Sequence, residues 1–238
     1  MDTTSQEVTL EELERNPRYA AWLFERCRPY LGPRVLDFGA GIGTFTALVA
    51  DCAEEVVALE PEPRFAERLE ARFAHDSRVE VARVEARELE PGSLGAPFDS
   101  LLCLNVLEHI DADVDALSRL RAQLRPGGRL LLLVPAHPLL YGTVDAALGH
   151  FRRYSKRELR RKLEGARFAV RELRFVNAVG VPAWFAYGRV LRHAHLAGPG
   201  MRAVDPVVPV ARRVDALHLP FGLSLWAVAE RPAASSNR

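Results

Sequence analysis

Acids and glycines stand where they could hold a small charged ligand. The segment Val35 to Gly43 is an apolar run that ends in Asp37 and then carries glycines at positions 39, 41 and 43. This order predicts a buried strand that turns sharply into a helix beginning near Thr44. Glycine has no Cβ and adopts positive φ at little cost, so a ligand can approach the backbone of such a turn. Asp37 would stand at the strand end, within reach of that ligand.

A second acid, Glu60, ends the next predicted strand. It lies about 20 residues after Gly39, the spacing of a carboxylate that accepts hydrogen bonds from ribose hydroxyls. Two classes of nucleoside-containing cofactor share this arrangement. The dinucleotide fingerprint G-x-G-x-x-G needs a further glycine at position 44, where this chain has Thr44. A nicotinamide-dependent oxidoreductase is therefore the less favoured alternative.

The elements that would position these residues alternate along the chain. We predict strands over residues 34–38, 56–59, 79–84, 98–104, 129–134, 168–176 and 224–229. Between and around them we predict helices over 18–30, 44–52, from Pro63, from Asp111 or Asp113, and over 155–164, 177–195 and 210–217. Strands and helices that alternate with short links predict an α/β fold with a doubly wound, mostly parallel seven-stranded sheet. Residues 136–154 show little periodicity, so we expect a functional loop there.

The motifs resemble those of class I S-adenosylmethionine-dependent methyltransferases. Asp37 to Gly43 is similar to motif I of that family, and Glu60-Pro61 to the acid at the end of its second strand. The segments Phe98 to Ile110 and Leu124 to Leu130 resemble the later motifs. The resemblance covers about residues 18 to 175 and implies the Rossmann-like fold of the family, with the whole chain 1–238 as one domain. In that domain, 1–33 would be a cap, 34–134 the cofactor core, and 135–222 the substrate loop and lid elements that complete the sheet with 223–230.

The resemblance also implies roles for individual residues. Asp37 would meet the amino group of the cofactor, and Glu60 would bind the ribose hydroxyls. Glu85 would receive the adenine amino group, although the family often has aspartate there and glycine where this chain has Val84. The implied cofactor-binding residues are Tyr19, Asp37, Gly39, Ala40, Gly41, Gly43, Glu60, Pro61, Glu85, Ala86, Asn105 and Val106.

The loop after the fifth strand would hold the acceptor, because ligands of open α/β sheets lie beyond the carboxyl ends of the strands. His137 and His150 are the candidates for a general base, and for each of them a role that only anchors the loop is equally open. The expected substrate-binding residues are Tyr141, Arg152, Arg153 and Tyr154. The basic run from Arg152 to Lys162 suits an anionic partner, but a solvated helix face is the simpler interpretation.

Composition limits the possible settings. The chain has 238 residues and a formal net charge of +1, which gives no overall attraction to nucleic acid or membrane. Its three cysteines are odd in number and have no metal-ligand spacing, so we expect reduced thiols and no metal. No apolar run reaches the length of a membrane span. We therefore expect a cytoplasmic bacterial protein.

The sequence-based hypothesis is an enzyme that transfers methyl from S-adenosylmethionine to a small-molecule acceptor, leaving S-adenosylhomocysteine. Oxygen is favoured over nitrogen as the acceptor atom, and an anionic acceptor would suit the basic run. No nucleic-acid partner is expected, and the oligomeric state is not predicted. A second alternative, beside the oxidoreductase, is a catalytically silent S-adenosylmethionine-binding regulatory protein that keeps the fold.

Overall fold

Seven strands form one sheet in a computed structural model that describes residues 3–186 and 204–233. They are β1 (Arg34–Phe38), β2 (Glu55–Leu59), β3 (Val79–Ala82), β4 (Phe98–Leu104), β5 (Leu124–Pro135), β6 (Ala169–Val176) and β7 (Ser224–Glu230). Their order is β3-β2-β1-β4-β5-β7-β6. Strands β1 to β5 pair in parallel, and β7 is antiparallel to both of its neighbours. The predicted mostly parallel seven-stranded sheet is confirmed.

Helices cover both faces of this sheet. They are α1 (Thr3–Arg15), α2 (Pro17–Phe24), α3 (Thr44–Ala50), α4 (Pro63–Phe73), α5 (Asp113–Gln123), α6 (Thr143–Leu148), α7 (Lys156–Gly165), α8 (Gly180–Phe185) and α9 (Val204–Asp215). Short 3-10 turns follow several strands, at Ala86–Glu88, Leu107–His109 and Pro138–Leu140. Ser155 caps α7, because its Oγ accepts a hydrogen bond from the Glu158 N–H at 3.2 Å.

The core is divided by the sheet because successive strand residues point to opposite faces. On β4, Leu101 and Cys103 pack with α5 and α7 on one face. Leu102 and Leu104 pack with α2, α3 and α9 on the other face. A strand buried on both faces reads as a continuous apolar run, which is why the limits of β4 were predicted to the residue.

Three helical regions differ from the prediction. Residues 3–15 form α1, where no helix was predicted, and the predicted helix over 18–30 is the shorter α2 followed by a 3-10 turn at Arg28–Tyr30. The expected loop over 136–154 contains α6. The helix predicted over 210–217 instead begins at Val204 and ends at Asp215, with Pro209 inside it. Proline is unfavourable inside a helix, but packing of Val208 and Ala211 against the core maintains α9.

Part of one prediction lies outside the described residues. The helix expected over 177–195 is described only as α8, and its remaining residues from 187 onward lie in the gap between 186 and 204. No helix in the described ranges has the length and apolar character needed to cross a bilayer.

Candidate functional site

The glycine turn after β1 is tied to the end of β2. Gly39, Gly41 and Gly43 have φ values of 76°, 57° and 87°. The N–H groups of Gly39 and Ala40 both donate to the carbonyl oxygen of Leu59, at 2.9 and 3.0 Å. The turn therefore has the left-handed backbone that the sequence required, and it lies at the carboxyl edge of the sheet.

Packing also demands glycine in this turn. A Cβ atom at Gly39 would lie 2.5 Å from Cγ2 of Val106, and one at Gly43 would lie 2.7 Å from Cδ1 of Leu69. Val106, which follows Asn105 after β4, thus packs against the glycine turn. A side chain at either glycine would collide with a neighbouring side chain, so the packing requires glycine there.

Asp37 is buried at the end of β1. Its Oδ2 accepts a hydrogen bond from the Thr46 hydroxyl at 2.7 Å. The other carboxylate oxygen, Oδ1, accepts no hydrogen bond that the structure describes. Burial raises the pKa of Asp37 to about 6, against the smaller lowering effect of Thr46. An ammonium group beside this carboxyl would favour its ionised form, so Asp37 suits a cationic ligand group.

Glu60 holds the turn through both of its oxygens. Oε2 accepts from the Gly41 N–H at 2.8 Å, and Oε1 accepts from the Glu62 N–H at 2.9 Å. Burial raises the pKa of Glu60 above its usual value, and these two backbone donors oppose that rise. A carboxylate oxygen can accept more than one hydrogen bond, so ribose hydroxyls could share these oxygens. Pro61 follows on the surface.

The predicted adenine contacts lie just beyond β3. Glu85 is exposed and begins the 3-10 turn that contains Ala86, where its side chain and that of Glu88 cap each other's backbone. Its carboxylate also pairs with Arg87 at 2.9 Å. A ligand that uses Glu85 would have to compete with these local partners.

Asn105 follows β4 directly and is exposed in the left-handed region, with φ of 55°. Its N–H donates to the carbonyl oxygen of Leu133 at 2.8 Å, which continues the pairing of β4 with β5. Positive φ is uncommon for a residue other than glycine, and asparagine tolerates it better than most. The side chain therefore leaves the sheet at the carboxyl edge, beside the glycine turn.

Helix α1 covers the glycine turn, which the sequence did not predict. A Cβ at Gly41 would lie 2.8 Å from Cδ2 of Leu10, so this leucine rests against the turn. Glu7, Glu11 and Glu14 of α1 pair with three arginines of α4, Arg64, Arg68 and Arg72. Acids and arginines that repeat every three to four residues on both segments were the available signal.

Tyr19, the predicted cofactor cap, faces another part of the molecule. Its backbone N–H donates to Asp205 of α9 at 2.9 Å, and its hydroxyl hydrogen-bonds Asn177. Its ring lies 5.6 Å from that of Trp22 in the core. None of these contacts is with the glycine turn, and Leu10 covers the turn instead.

His137 anchors its loop. It has φ of 60°, and its ring stacks on Phe175 of β6 with a centroid distance of 4.9 Å. Burial and then the charge of Arg153 lower the pKa of His137. The predicted catalytic role is untested, and the contacts that the structure describes are those of an anchor.

His150 belongs to a buried chain of polar groups. Its Nδ1 lies 2.9 Å from Oδ1 of Asp145, and Nε of Arg153 donates to the same oxygen at 2.8 Å. Arg153 also lies over the ring of Trp184, with 4.4 Å from its guanidinium carbon to the ring centroid. Tyr141 donates its hydroxyl hydrogen to the carbonyl oxygen of His150 at 2.8 Å.

The structure gives two of the predicted substrate residues an internal role. Arg153 is 3% exposed and Tyr154 is fully buried. The Tyr154 hydroxyl donates to Oδ2 of Asp113 at 3.0 Å, and burial raises the pKa of Tyr154 far above its usual value. Arg152 pairs with Asp113 at 3.1 Å and remains partly exposed. Arginine and tyrosine suggested substrate contact, but neither Arg153 nor Tyr154 reaches the surface.

The acid at the centre of this region was not predicted from the sequence. Glu108 is buried in the 3-10 turn after β4, and neither of its carboxylate oxygens has a hydrogen-bond partner among the described residues. His109 follows it, and the rings of His109 and His150 meet edge to face with a centroid distance of 4.7 Å. A Glu-His pair that directly follows a buried strand was the available signal.

A hollow of about 380 Å³ lies elsewhere, between α2, β6 and α9. Its lining includes Trp22, Arg26, Glu172 and Asp215 and none of the residues predicted for the site. The chemistry of the glycine turn, not the size of a cavity, therefore identifies the candidate site in the described structure.

Residues 36–130 match the model of a methyltransferase domain family. A tRNA U34 carboxymethyltransferase of Shewanella loihica is 37% identical over 119 residues, which cover 47% of this chain and 35% of that protein. The chain thus spans about a third of the length of this relative.

Solved structures share the fold. A SAM-dependent methyltransferase from Archaeoglobus fulgidus superposes with a TM-score of 0.63 at 18% identity, over 94% of this chain and 99% of that one. An N-methyltransferase of Haemonchus contortus in complex with S-adenosylhomocysteine gives a TM-score of 0.58 at 17% identity, over 85% and 49% of the two chains. The family match confirms a methyltransferase domain over residues 36–130, and the solved structures confirm the predicted class I fold.

Two predictions are wrong. The expected small-molecule acceptor, with oxygen favoured over nitrogen, and the expected absence of a nucleic-acid partner both conflict with the curated relatives, which are named as enzymes that modify tRNA. The error came from net charge, because a total of +1 averages over the whole chain and does not report local basic surfaces.

Proposed function

We propose that this S-adenosylmethionine-dependent methyltransferase transfers its methyl group to a nucleoside of tRNA. The observation that carries the proposal is the 37% identity over 119 residues to a tRNA U34 carboxymethyltransferase. Because the match covers about a third of that relative, the tRNA acceptor is inferred from the related part and from the surface described below.

The cofactor would lie across the carboxyl ends of β1 to β4. Asp37 would receive its amino group, Glu60 its ribose hydroxyls, and Glu85 with the Ala86 N–H its adenine, while Asn105 and Val106 would close the site. The turn fits this cofactor because Asp37 and Glu60 are acids at two adjacent strand ends beside the glycines. When bound, S-adenosylmethionine supplies a methyl group on a sulfonium, which an acceptor atom displaces in line. The chain's own contribution is to hold donor and acceptor in position.

Methyl transfer agrees with the charges of the site. Carboxymethyl transfer by the same displacement needs a donor that carries a carboxylate on the transferred carbon. A cation would be expected to face that carboxylate. The residues predicted for cofactor binding include three acids, Asp37, Glu60 and Glu85, and no cation.

The surface beside the site suits a nucleic acid. Phe151 is 49% exposed, and the guanidinium of Arg152 lies 5.8 Å from its ring centroid. Exposed aromatic rings next to arginine are platforms on which unpaired bases stack. A loop nucleoside of tRNA would use such a platform.

Helix α7 continues this surface with four exposed cations, which we call the basic face: Lys156, Arg157, Arg160 and Arg161. Arg160 pairs with Glu164 at 3.6 Å. Arg157 and Arg161 have no ion-pair partner among the described residues. Unpaired arginines on one helix face are available to phosphates, whose neutralisation releases counterions from the nucleic acid. A tRNA partner also agrees with the predicted cytoplasmic location.

The test measures both transfer and binding. Protein with methyl-labelled S-adenosylmethionine and unmodified tRNA transcripts is expected to label tRNA, and mapping the labelled nucleoside shows whether it is U34. Binding of tRNA is expected to weaken with salt, and Arg157→Ala with Arg161→Ala should reduce the slope of log affinity against log salt by about 2. The control is Arg28→Ala with Arg213→Ala, two exposed arginines on other elements.

Three outcomes would contradict the proposal or a part of it. No label on tRNA, together with bound S-adenosylmethionine, would refute tRNA as acceptor. Transfer only from a donor whose transferred carbon bears a carboxylate would replace methyl by carboxymethyl. An unchanged salt slope in the α7 variant would remove the basic face from the interface.

A further inference from the structure

Three potential metal ligands converge beyond the ends of β4 and β5. Glu108 and His109 lie in the 3-10 turn after β4, and His150 lies in the loop after α6. One ligand atom from each of these residues can be chosen so that the three atoms lie within 4.8 Å of one another. Two separate segments of the chain therefore place a carboxylate and two imidazoles close together.

The Glu108 carboxylate lacks hydrogen-bond partners among the described residues. Glu108 is 1% exposed, and both of its carboxylate oxygens lack a hydrogen-bond partner within the described structure. A buried polar group without a partner costs free energy, and most such groups in native proteins are paired. The carboxylate therefore calls for a partner of positive charge.

No described side chain supplies that partner. The histidines are nearest, but no ion pair links Glu108 to His109 or His150 among residues 3–186 and 204–233. Arg153 is directed to Asp145 and to the Ala136 carbonyl oxygen. A purely structural role for Glu108 would leave both carboxylate oxygens without a hydrogen-bond partner among the described residues.

The two histidine rings have the hydrogen bonds that are typical of metal-binding histidines. Nδ1 of His109 is buried and has no partner, while the ring hydrogen-bonds the backbone of Gly149. Asp145 holds Nδ1 of His150 at 2.9 Å, which leaves Nε2 of that ring available. Metal-binding histidines almost always bond a carboxylate or a backbone carbonyl through their other ring nitrogen, and both rings here do so.

We propose that Glu108, His109 and His150 bind a divalent transition-metal ion, with Asp145 as the positioning residue of His150. Two imidazoles and one carboxylate form a ligand set typical of Zn²⁺ and of Fe²⁺-type sites that keep open positions. Mg²⁺ does not match, because it is held mainly by oxygen ligands. The proposal replaces the expectation of a metal-free site and does not depend on the acceptor.

The site gives His150 a different role from the predicted general base. An imidazole bound to an ion cannot also accept a proton through the same nitrogen. An open position on the ion could instead hold water or an oxygen atom of the acceptor and lower its pKa. Metal binding is the direct measurement, because it does not require turnover.

The experiment uses untagged full-length protein, stripped with a chelator and then titrated with Zn²⁺ or Co²⁺. We expect one ion per chain by elemental analysis, a visible Co²⁺ spectrum of the bound ion, and a melting temperature that rises with Zn²⁺. Glu108→Gln and His150→Gln should each weaken Zn²⁺ binding by at least about 10- to 100-fold, since even the loss of an outer partner costs that much. His75→Gln, at an exposed histidine after α4, is the matched control.

Circular dichroism separates folding from binding. Glu108→Gln keeps the shape of the side chain and removes a buried charge, so this variant is expected to fold. Stripped protein that binds neither Zn²⁺ nor Co²⁺ would overturn the proposal, as would a folded Glu108→Gln protein that binds Zn²⁺ as tightly as the unaltered chain. Mg²⁺ binding that prevents Zn²⁺ uptake would contradict the inferred ligand class.

Discussion

The N–H of Gly41 donates to Oε2 of Glu60 across 2.8 Å, which joins the glycine turn to the end of the neighbouring strand. The other oxygen of Glu60 binds the Glu62 N–H. The acid implied to bind ribose therefore also fixes the shape of the turn that would hold the rest of the cofactor.

Glu60→Gln should weaken S-adenosylhomocysteine binding by about 10- to 100-fold, because hydrogen bonds to a charged acceptor contribute about 1.5–3 kcal/mol. In this variant the NH₂ group of the glutamine side chain would also face one of the two backbone N–H donors, and it cannot accept a hydrogen bond from it. Calorimetric titration measures the change, and Glu62→Gln is the control at the adjacent acid. Affinity within twofold of the unaltered protein in the Glu60 variant would exclude this acid from the site.

Asp37 should make stability depend on pH in the acidic range. Its pKa is about 6 in the folded protein and near 4 in the unfolded chain, so its contribution is fully present below about pH 4 and is lost as the pH rises through 6. Asp37→Asn stays neutral and should gain about 2–3 kcal/mol relative to the unaltered protein between pH 4 and 7. Urea unfolding across this range tests it, with the exposed Asp51→Asn as control. A constant difference between the two proteins would contradict the buried state of Asp37.

Two glycines with nearly equal φ allow packing to be separated from backbone strain. Gly39 has φ of 76° and would place a Cβ 2.5 Å from Val106, whereas Gly92 has φ of 78° and nothing within 4 Å. Gly92→Ala should cost about 1–2 kcal/mol for the left-handed backbone alone. Gly39→Ala should cost about 1–3 kcal/mol more because of the clash.

Chemical denaturation of both glycine variants gives the comparison. Adding Val106→Ala to Gly39→Ala should recover part of the extra loss, because it removes the methyl groups that collide. Equal losses at the two positions would show that Val106 does not close on the turn.

The hydroxyl of Tyr154 should stabilise the fold without touching the acceptor. Tyr154→Phe removes a buried donor to Asp113 and is expected to cost about 1–3 kcal/mol of unfolding free energy. The KM for the acceptor should not change. Tyr30→Phe, whose hydroxyl bonds Glu172 near the surface, is a control with a smaller expected loss. A raised KM at unchanged stability would restore the predicted substrate role.

Helix α1 should slow the exchange of cofactor. Glu7 and Glu11 pair with arginines of α4 at distances of 2.9 to 3.4 Å, and such partly exposed pairs are weak and screened by salt. Stopped-flow binding of S-adenosylhomocysteine should therefore become faster with salt. Glu7→Gln with Glu11→Gln should be fast at every salt concentration, unlike Glu70→Gln, whose partner Arg83 lies away from α1. Rates independent of salt in the unaltered protein would show that α1 does not restrict entry.

Much of the fold and less of the site could be predicted from the sequence. β1 and β4 carry continuous apolar runs that end in Asp37 and Asn105, and both strands were located to the residue. Helix α1 has no strong apolar stripe, and its place depends on pairs with α4 that lie more than 50 residues away. Local patterns cannot report such distant partners. Arg153 and Tyr154 were misjudged for the same reason, because their partners Asp145 and Asp113 become neighbours only when the chain folds.

Successive residues of α1 reach two different parts of the molecule. Glu7 bonds Arg64, beside the turn implied to hold the cofactor, and Nε2 of Gln6 donates to the carbonyl oxygen of Leu148, two residues before His150. A rigid helix attached at both places cannot lift from one and stay on the other. Opening of the glycine turn and of the loop before His150 would therefore be coupled, because a movement of α1 would break both contacts.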